Sequence, residues 1–433
     1  MKKVAFCTLG CKVNQYETEL MEKQLEKAGY TVVDFENIAD IYVINSCTVT
    51  NLASRKSRQM LSRAKRKNPY GKVILSGCYS EEIKSGSEKI NNVDLIIGNE
   101  EKKDIVDIIE KLEKGKVNIK LKDISKVNKY VQKERLDKGK NVRESIKIED
   151  GCNNFCSYCI IPYTRGRIRS RKMEDILKEV REITKTSVKE IVLVGIEIAS
   201  YGQDLGSGES LASLVEKINE IDTVRRIRLG SIDPRWLTEE NIARLSKVEK
   251  LCNHFHISVQ SLSSSVLKRM NRKYTQEFVK ERIEKIRKYF SNPLITCDII
   301  VGFVNETDEE FRDTYEAAKE IGFSDMHIFK YSRRKGTAAY NLESTVTEEK
   351  KLERSKKLEE LSIEMKQDYL KKELGKTVKV LIDERKAPSK FYGYTSNYLK
   401  VEVRGDDILW GEIQDLELTS IEGNTLIGRV KQK

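Results

Sequence analysis

The sequence predicts an α/β protein in three parts: an N-terminal doubly wound parallel sheet, a central open (β/α)6 partial barrel and a small all-β barrel at the C-terminus. Three observations carry that prediction. Strand-length apolar runs alternate with helix-length segments over residues 1–110, and the alternation resumes over 141–340. Residues 375–433 then change to short β runs separated by glycine turns.

Taken in order, residues 4–9 are a short apolar strand, and 14–28 a helix stopped by Gly29, the residue type that best tolerates a left-handed cap. Residues 40–45, 72–76 and 93–97 are further strands, and 54–67 a basic helix ended by Asn68-Pro69. Residues 111–140 are lysine-rich with little apolar periodicity and read as a linker. Six strands are expected beyond it, at 145–149, 190–197, 226–232, 254–261, 295–303 and 326–332. Residues 348–374 form one long charged connecting helix, and 378–382, 398–403, 416–421 and 426–430 supply the last barrel.

The net charge of +12 favours a polyanionic partner, nucleic acid first, against the plainer reading of a soluble lysine-rich surface. No segment approaches the ~18 uninterrupted apolar residues of a membrane helix. The short basic N-terminus runs straight into a polar, cysteine-bearing turn rather than a signal peptide, so a cytoplasmic protein is expected. Nine cysteines in such a chain point to metal binding or catalysis rather than a disulfide framework.

Cys152, Cys156 and Cys159 have the spacing C-x3-C-x2-C, just after the first strand of the central unit. Three thiolates on one tight loop suit three irons of a [4Fe–4S] cluster, leaving the fourth iron open for a substrate. A zinc knuckle wants a fourth ligand, and His254, His256 and His327 all lie far away in sequence. Cys11, Cys47 and Cys78 share no local motif, but each directly follows an apolar strand. Equivalent positions after parallel strands lie along one sheet edge, which makes a second three-cysteine site. The plainer reading, buried small hydrophobes, fits Cys7, Cys252 and Cys297 better.

The central triplet resembles the radical SAM superfamily, whose open iron binds S-adenosylmethionine (SAM) for cleavage to a 5′-deoxyadenosyl radical. The resemblance implies that Tyr158, before the last cysteine, marks where the backbone meets adenine. It gives Gly195 and Glu197, in Val194-Gly195-Ile196-Glu197, to the methionyl group, and makes Gln260 a further SAM contact. Two three-cysteine sites with a C-terminal β-barrel resemble the methylthiotransferases over essentially the whole chain. The domains implied are a methylthiotransferase domain at 1–112, the linker at 113–140, a radical SAM domain with its connecting helix at 141–371, and a TRAM RNA-binding domain at 372–433, carried by the run from Gly393 to Tyr398.

Gly10-Cys11-Lys12-Val13-Asn14-Gln15-Tyr16-Glu17, Asn45-Ser46-Cys47-Thr48-Val49-Thr50-Asn51 and the stretch from Gly195 to Gly202 look like the MtaB branch. That branch adds a methylthio group to C2 of N6-threonylcarbamoyladenosine at position 37, in the anticodon loop of tRNA. The resemblance then implies two [4Fe–4S] clusters, SAM, an electron donor such as flavodoxin or ferredoxin, a sulfur source, and a monomer with no membrane attachment. The basic helix from Arg55 to Lys67 and the run Arg165, Arg167, Arg169, Arg171 are candidate phosphate contacts, and Tyr392, Tyr394 and Tyr398 candidate base-stacking groups.

The chain departs from the family pattern at Leu262, where Gly is usual, at Val304-Asn305 in place of Pro-Gly, and at Lys330, where Pro is common. Leu262 is expected to crowd the SAM side of the barrel, and Asn305 to keep the turn. The alternatives are a non-catalytic iron–sulfur protein that binds RNA or senses redox state, and a methylthiotransferase acting on another tRNA base or a protein.

Overall fold

A five-stranded sheet opens the chain in the computed structural model, which describes residues 1–83, 90–115, 121–132, 141–405 and 410–430. Its strands are β1 (Lys3–Thr8), β2 (Thr31–Val33), β3 (Ile41–Ser46), β4 (Lys72–Gly77) and β5 (Leu95–Ile96), in the order β2-β1-β3-β4-β5, all parallel. Side chains alternate across the sheet. Val4, Ile41, Val43 and Ile74 face α1 (Lys12–Lys27) and a later helix (Ile105–Glu113), while Ala5, Tyr42, Ile44 and Leu75 face α2 (Asn51–Lys67). Helices on both faces make the sheet doubly wound, as expected. The three-residue β2 is an addition to the sequence reading, and a short α3 (Cys78–Ile83) begins directly at Cys78, followed by α4 at Ile105–Glu113.

The segment read as a linker is not free of the body. Among its described residues Ile124 is buried, and the Gln132 side-chain amide donates to the Tyr16 hydroxyl at 2.7 Å. Residues 116–120 and 133–140 of it lie outside the described residues.

Six parallel strand positions follow, in two sheets. The first has β6 (Arg143–Lys147), β9 (Glu190–Val194) and β10 (Arg226–Leu229); between β6 and β9 come the two-residue hairpin pair β7 (Glu149–Asp150) and β8 (Arg169–Ser170). The second runs β11 (Ser231–Ile232), β12 (His254–Gln260), β13 (Leu294–Val301) and β14 (Asp325–Lys330). The strand expected at 226–232 is thus split at Gly230, whose N–H still bonds Leu193 O at 2.9 Å. That bend carries the chain from one sheet to the next, and the barrel stays open between the edge strands β6 and β14. Its outer helices share one core with Ile191, Leu193, Ile257, Val259 and Ile299. The long helix at Glu348–Lys371 does more than connect: it buries Leu358 and Leu361 and ties Ser362 to Met326 N of β14 at 2.9 Å.

The C-terminal barrel closes in the order β15-β16-β17-β19-β18, from Thr377–Ala387, Lys390–Thr395, Lys400–Arg404, Thr425–Val430 and Ile413–Glu422 respectively. Val380, Ile382, Phe391, Val401 and Leu416 fill it. β16 was not anticipated: its Lys, Tyr and Gly residues give a weak apolar alternation.

Candidate functional site

Each of the three N-terminal cysteines leaves the carboxyl end of a neighbouring parallel strand, so sheet order brings them to one edge. Asn14 and Asn45 tie the loops together: Asn14 Nδ2 donates to Leu9 O (2.7 Å) and Ser46 O (3.0 Å), and Asn45 Nδ2 to Asn14 O (2.9 Å). Gly77, at φ +99°, lets the chain before Cys78 pass over Ser46, where a β-carbon would sit 2.3 Å from Ser46 O. Cys47 and Cys78 are buried and Cys11 exposed. Burial pushes the Cys47 thiol up to about 11, and the nearby Cys78 and Cys11 add to the rise.

The central cysteines sit in one loop after β7. Cys152 N bonds Gly166 O (3.1 Å), Cys159 N bonds Cys156 O (3.0 Å), and Ser157 is clamped between Met270 O (3.0 Å) and Ala339 N (2.7 Å). Burial raises the Cys152 thiol, and raises Cys159 to about 12, with Cys156 adding to the latter. At Cys47, Cys152 and Cys159 burial disfavours a bare thiolate, and in both places an all-sulfur donor set fits a cationic iron centre that would stabilise one.

Between the two sites lies a buried ion network. The Arg165 side chain is 0% exposed; it donates to Cys78 Sγ at 3.3 Å and pairs with Glu17 and, at 3.2 Å, with Asp150. Lys147 joins the same acids at 2.6 and 2.7 Å. Burial works to raise the Glu17 carboxyl, but Arg165, Lys102 and Lys147 hold it well below the usual range. This corrects the reading of the arginine run. Arg165, Arg169 and Arg171 are buried ion-pair partners, and only Arg167 is exposed, 4.2 Å over the Phe155 ring. On α2, Arg63 and Lys67 pair with Glu36 and Lys65 with Asp94, leaving Arg55, Lys56 and Arg66 exposed. Tyr394 and Tyr398 stack on each other at 4.9 Å, against Arg143 and Arg228 of the central barrel, so they form an internal contact. Tyr392 lies on the barrel beside Lys400.

A cavity of about 300 Å³ opens over the central loop, bordered by Cys152, Cys156 and Cys159 and by Val49 and Thr50 just beyond Cys47. Tyr158, Glu197 and Gln260 also line it. Tyr158 accepts from Arg272 at 2.9 Å. Glu197 is pushed up to about 7 by burial and Asp233, and its Oε1 is buried with no partner. Gly195 does not border the cavity: a β-carbon there would sit 2.1 Å from Glu149 Oε1, so the glycine makes room for that side chain. An unpartnered carboxylate oxygen in a cavity bordered by three thiols fits an amino-acid moiety held over a cluster.

Leu262 does not crowd this space. It is fully buried in the central core, with its N–H donating to Thr314 Oγ1 at 3.3 Å, and does not border the cavity. Val304 packs behind Tyr158, and Asn305 keeps its turn at φ +54°. Sequence reasoning missed the group on the cavity wall where Asp298 meets His256 Nε2 (3.2 Å) and His327 Nδ1 (3.4 Å). Its trace is the two-residue alternation His254, His256, Ser258, Gln260, which sets one face of β12 inward.

Residues 146–318 match the family described as Radical SAM superfamily, and residues 3–98 the Uncharacterized protein family UPF0004. A Threonylcarbamoyladenosine tRNA methylthiotransferase MtaB from Bacillus subtilis is 39% identical, over 96% of this chain and 94% of its own. Its namesake in Aquifex aeolicus is 37% identical, over 93% and 97%. A tRNA-2-methylthio-N(6)-dimethylallyladenosine synthase from Clostridium tetani is 36% identical, over 97% and 94%. Among solved structures the radical SAM methyltransferase TsrM from Kitasatospora setae shares the fold, with TM-score 0.59 at 14% identity over 78% of this chain and 77% of that one. No helix among the described residues is long and apolar enough to cross a membrane. Near full-length likeness on a radical SAM barrel means that the chain belongs to the radical SAM methylthiotransferase family and is a transferase.

Proposed function

We propose that this protein adds a methylthio group to C2 of N6-threonylcarbamoyladenosine at position 37 of tRNA. One observation carries the reading: the cavity above Cys152, Cys156 and Cys159 is also bordered by the loop leaving Cys47, so one bound base is within reach of both three-cysteine sites. The 39% identity to relatives named for that reaction supports the choice over the dimethylallyl synthases at 36%. Cys152, Cys156 and Cys159 would hold one [4Fe–4S] cluster and Cys11, Cys47 and Cys78 a second. When bound, the first supplies the radical chemistry with SAM and the second the sulfur.

The chain's own residues bind, orient and exclude water. Glu197 offers its unpartnered oxygen to a donor such as the amino group of SAM, and Gly195 leaves room for the Glu149 side chain, which accepts from Glu197 N at 2.7 Å and so holds that turn. Tyr158, fixed by Arg272, and Gln260, held at φ +69°, shape the wall. Exposed Arg55 and Lys56, directly after the Cys47 loop, meet tRNA phosphates, with Tyr392 and Lys400 of the C-terminal barrel as a second grip. A reduced electron donor and a sulfur source complete the requirement. Nucleoside mass spectrometry of tRNA from cells with and without the gene tests this. The methylthio-threonylcarbamoyladenosine peak should vanish on deletion, and an unchanged peak overturns the substrate assignment.

A further inference from the structure

We propose that Lys330, which stands where the family commonly has Pro, is a specificity contact of this chain's own that receives the carboxylate of the N6-threonylcarbamoyl group; this rests on the substrate reading above. Two cations border the cavity, Arg272 and Lys330. Arg272 is already committed, donating to the Tyr158 hydroxyl at 2.9 Å and pairing with Asp233 at 3.2 Å. Lys330 is exposed at the cavity wall, and its ammonium has no hydrogen bond or ion pair with any of the described residues. The acids on the wall do not answer it: Asp298 is engaged by His256 and His327, lower down the barrel.

Position strengthens the assignment. Lys330 ends β14, the edge strand at the open side of the barrel, where a nucleotide can enter. The chain just after it is stitched to the segment following Cys47. Ser332 Oγ accepts from Asn51 N at 3.0 Å, and Arg334 donates to Asn51 Oδ1 at 2.6 Å and also reaches Thr48. Lys330 is thereby fixed at the seam between the two cysteine sites, where a base served by both must lie. A free ammonium there attracts an anionic N6 substituent, and it penalises an apolar one that would desolvate it without a partner.

The test uses the reconstituted full-length holoenzyme and three anticodon stem-loops carrying N6-threonylcarbamoyladenosine, its methyl ester, or plain adenosine at position 37. Fluorescence anisotropy gives the affinities. The carboxylate form should bind wild type roughly tenfold tighter than the ester, as expected for one charge-assisted contact. Lys330→Met should abolish that ratio and Lys330→Arg should keep it, with unchanged melting temperatures showing that both variants fold. A ratio that survives in Lys330→Met overturns the proposal. So does a matching loss of SAM affinity in Lys330→Met, which would give the lysine to the SAM carboxylate. Failure of the wild type to methylthiolate the threonylcarbamoyl stem-loop would instead overturn the substrate reading.

Discussion

The two three-cysteine sites are built by opposite means. The central one is local: its cysteines lie within eight residues, on a loop clamped from outside by Met270 and Ala339. The N-terminal one is topological: its cysteines come from three strand ends, and what fixes them is close backbone passage plus side-chain amides. A local loop keeps its spacing when its surroundings loosen. A site assembled from separate strands keeps its geometry only while the sheet edge and everything packed on it hold. The N-terminal site should therefore be the more fragile of the two.

The largest expected effect comes from Arg165→Met. It strips the shared partner from buried Glu17 and Asp150 and the donor from Cys78, and should cost about 3–5 kcal/mol in denaturant unfolding. Iron bound at the N-terminal site should fall first. Gly77→Ala comes next. Its β-carbon would meet main-chain atoms in a left-handed conformation, at roughly 3 kcal/mol, and the loss should again fall on the N-terminal site. Gly195→Ala would strike the Glu149 side chain, which can shift, so about 1–2 kcal/mol is expected. Its main readout is weaker SAM binding by the central site with N-terminal iron intact.

The smallest effect concerns pH. The Asp298 hydrogen bond, against opposing burial, raises the His327 pKa, so its stabilisation is complete below the unfolded value and is lost as pH rises through the folded one. Asp298→Asn should thus destabilise the chain more at pH 5.5 than at pH 8.5. Solvent screening at this half-exposed histidine limits the difference to a fraction of a kcal/mol in paired thermal melts. An equal loss at both pH values would leave His327 without a role in the pair.

The placement of both cysteine sets was legible in the sequence, for reasons that match how the loops are built. The central spacing is a short-range pattern, and the N-terminal one follows from apolar strands each ending at a cysteine. The arginine run after the loop was misread because its partners are remote: Glu17 lies 148 positions before Arg165, and no local pattern records such a pairing. The same limit hid the contact of Tyr394 and Tyr398 with Arg143 and Arg228, and the meeting of Asp298 with two histidines from neighbouring strands. Leu262 was misplaced because a departure from a family pattern does not say which way the side chain turns. β16 escaped because its stability comes from pairing on both sides with β15 and β17, not from its own composition.

The central claim is that each cysteine set holds its own cluster. Iron should be measured in the anaerobically reconstituted wild type and in Cys47→Ala and Cys156→Ala. About eight irons per chain are expected for wild type and about four for each variant. A Cys47→Ala protein that keeps the wild-type iron content would contradict it.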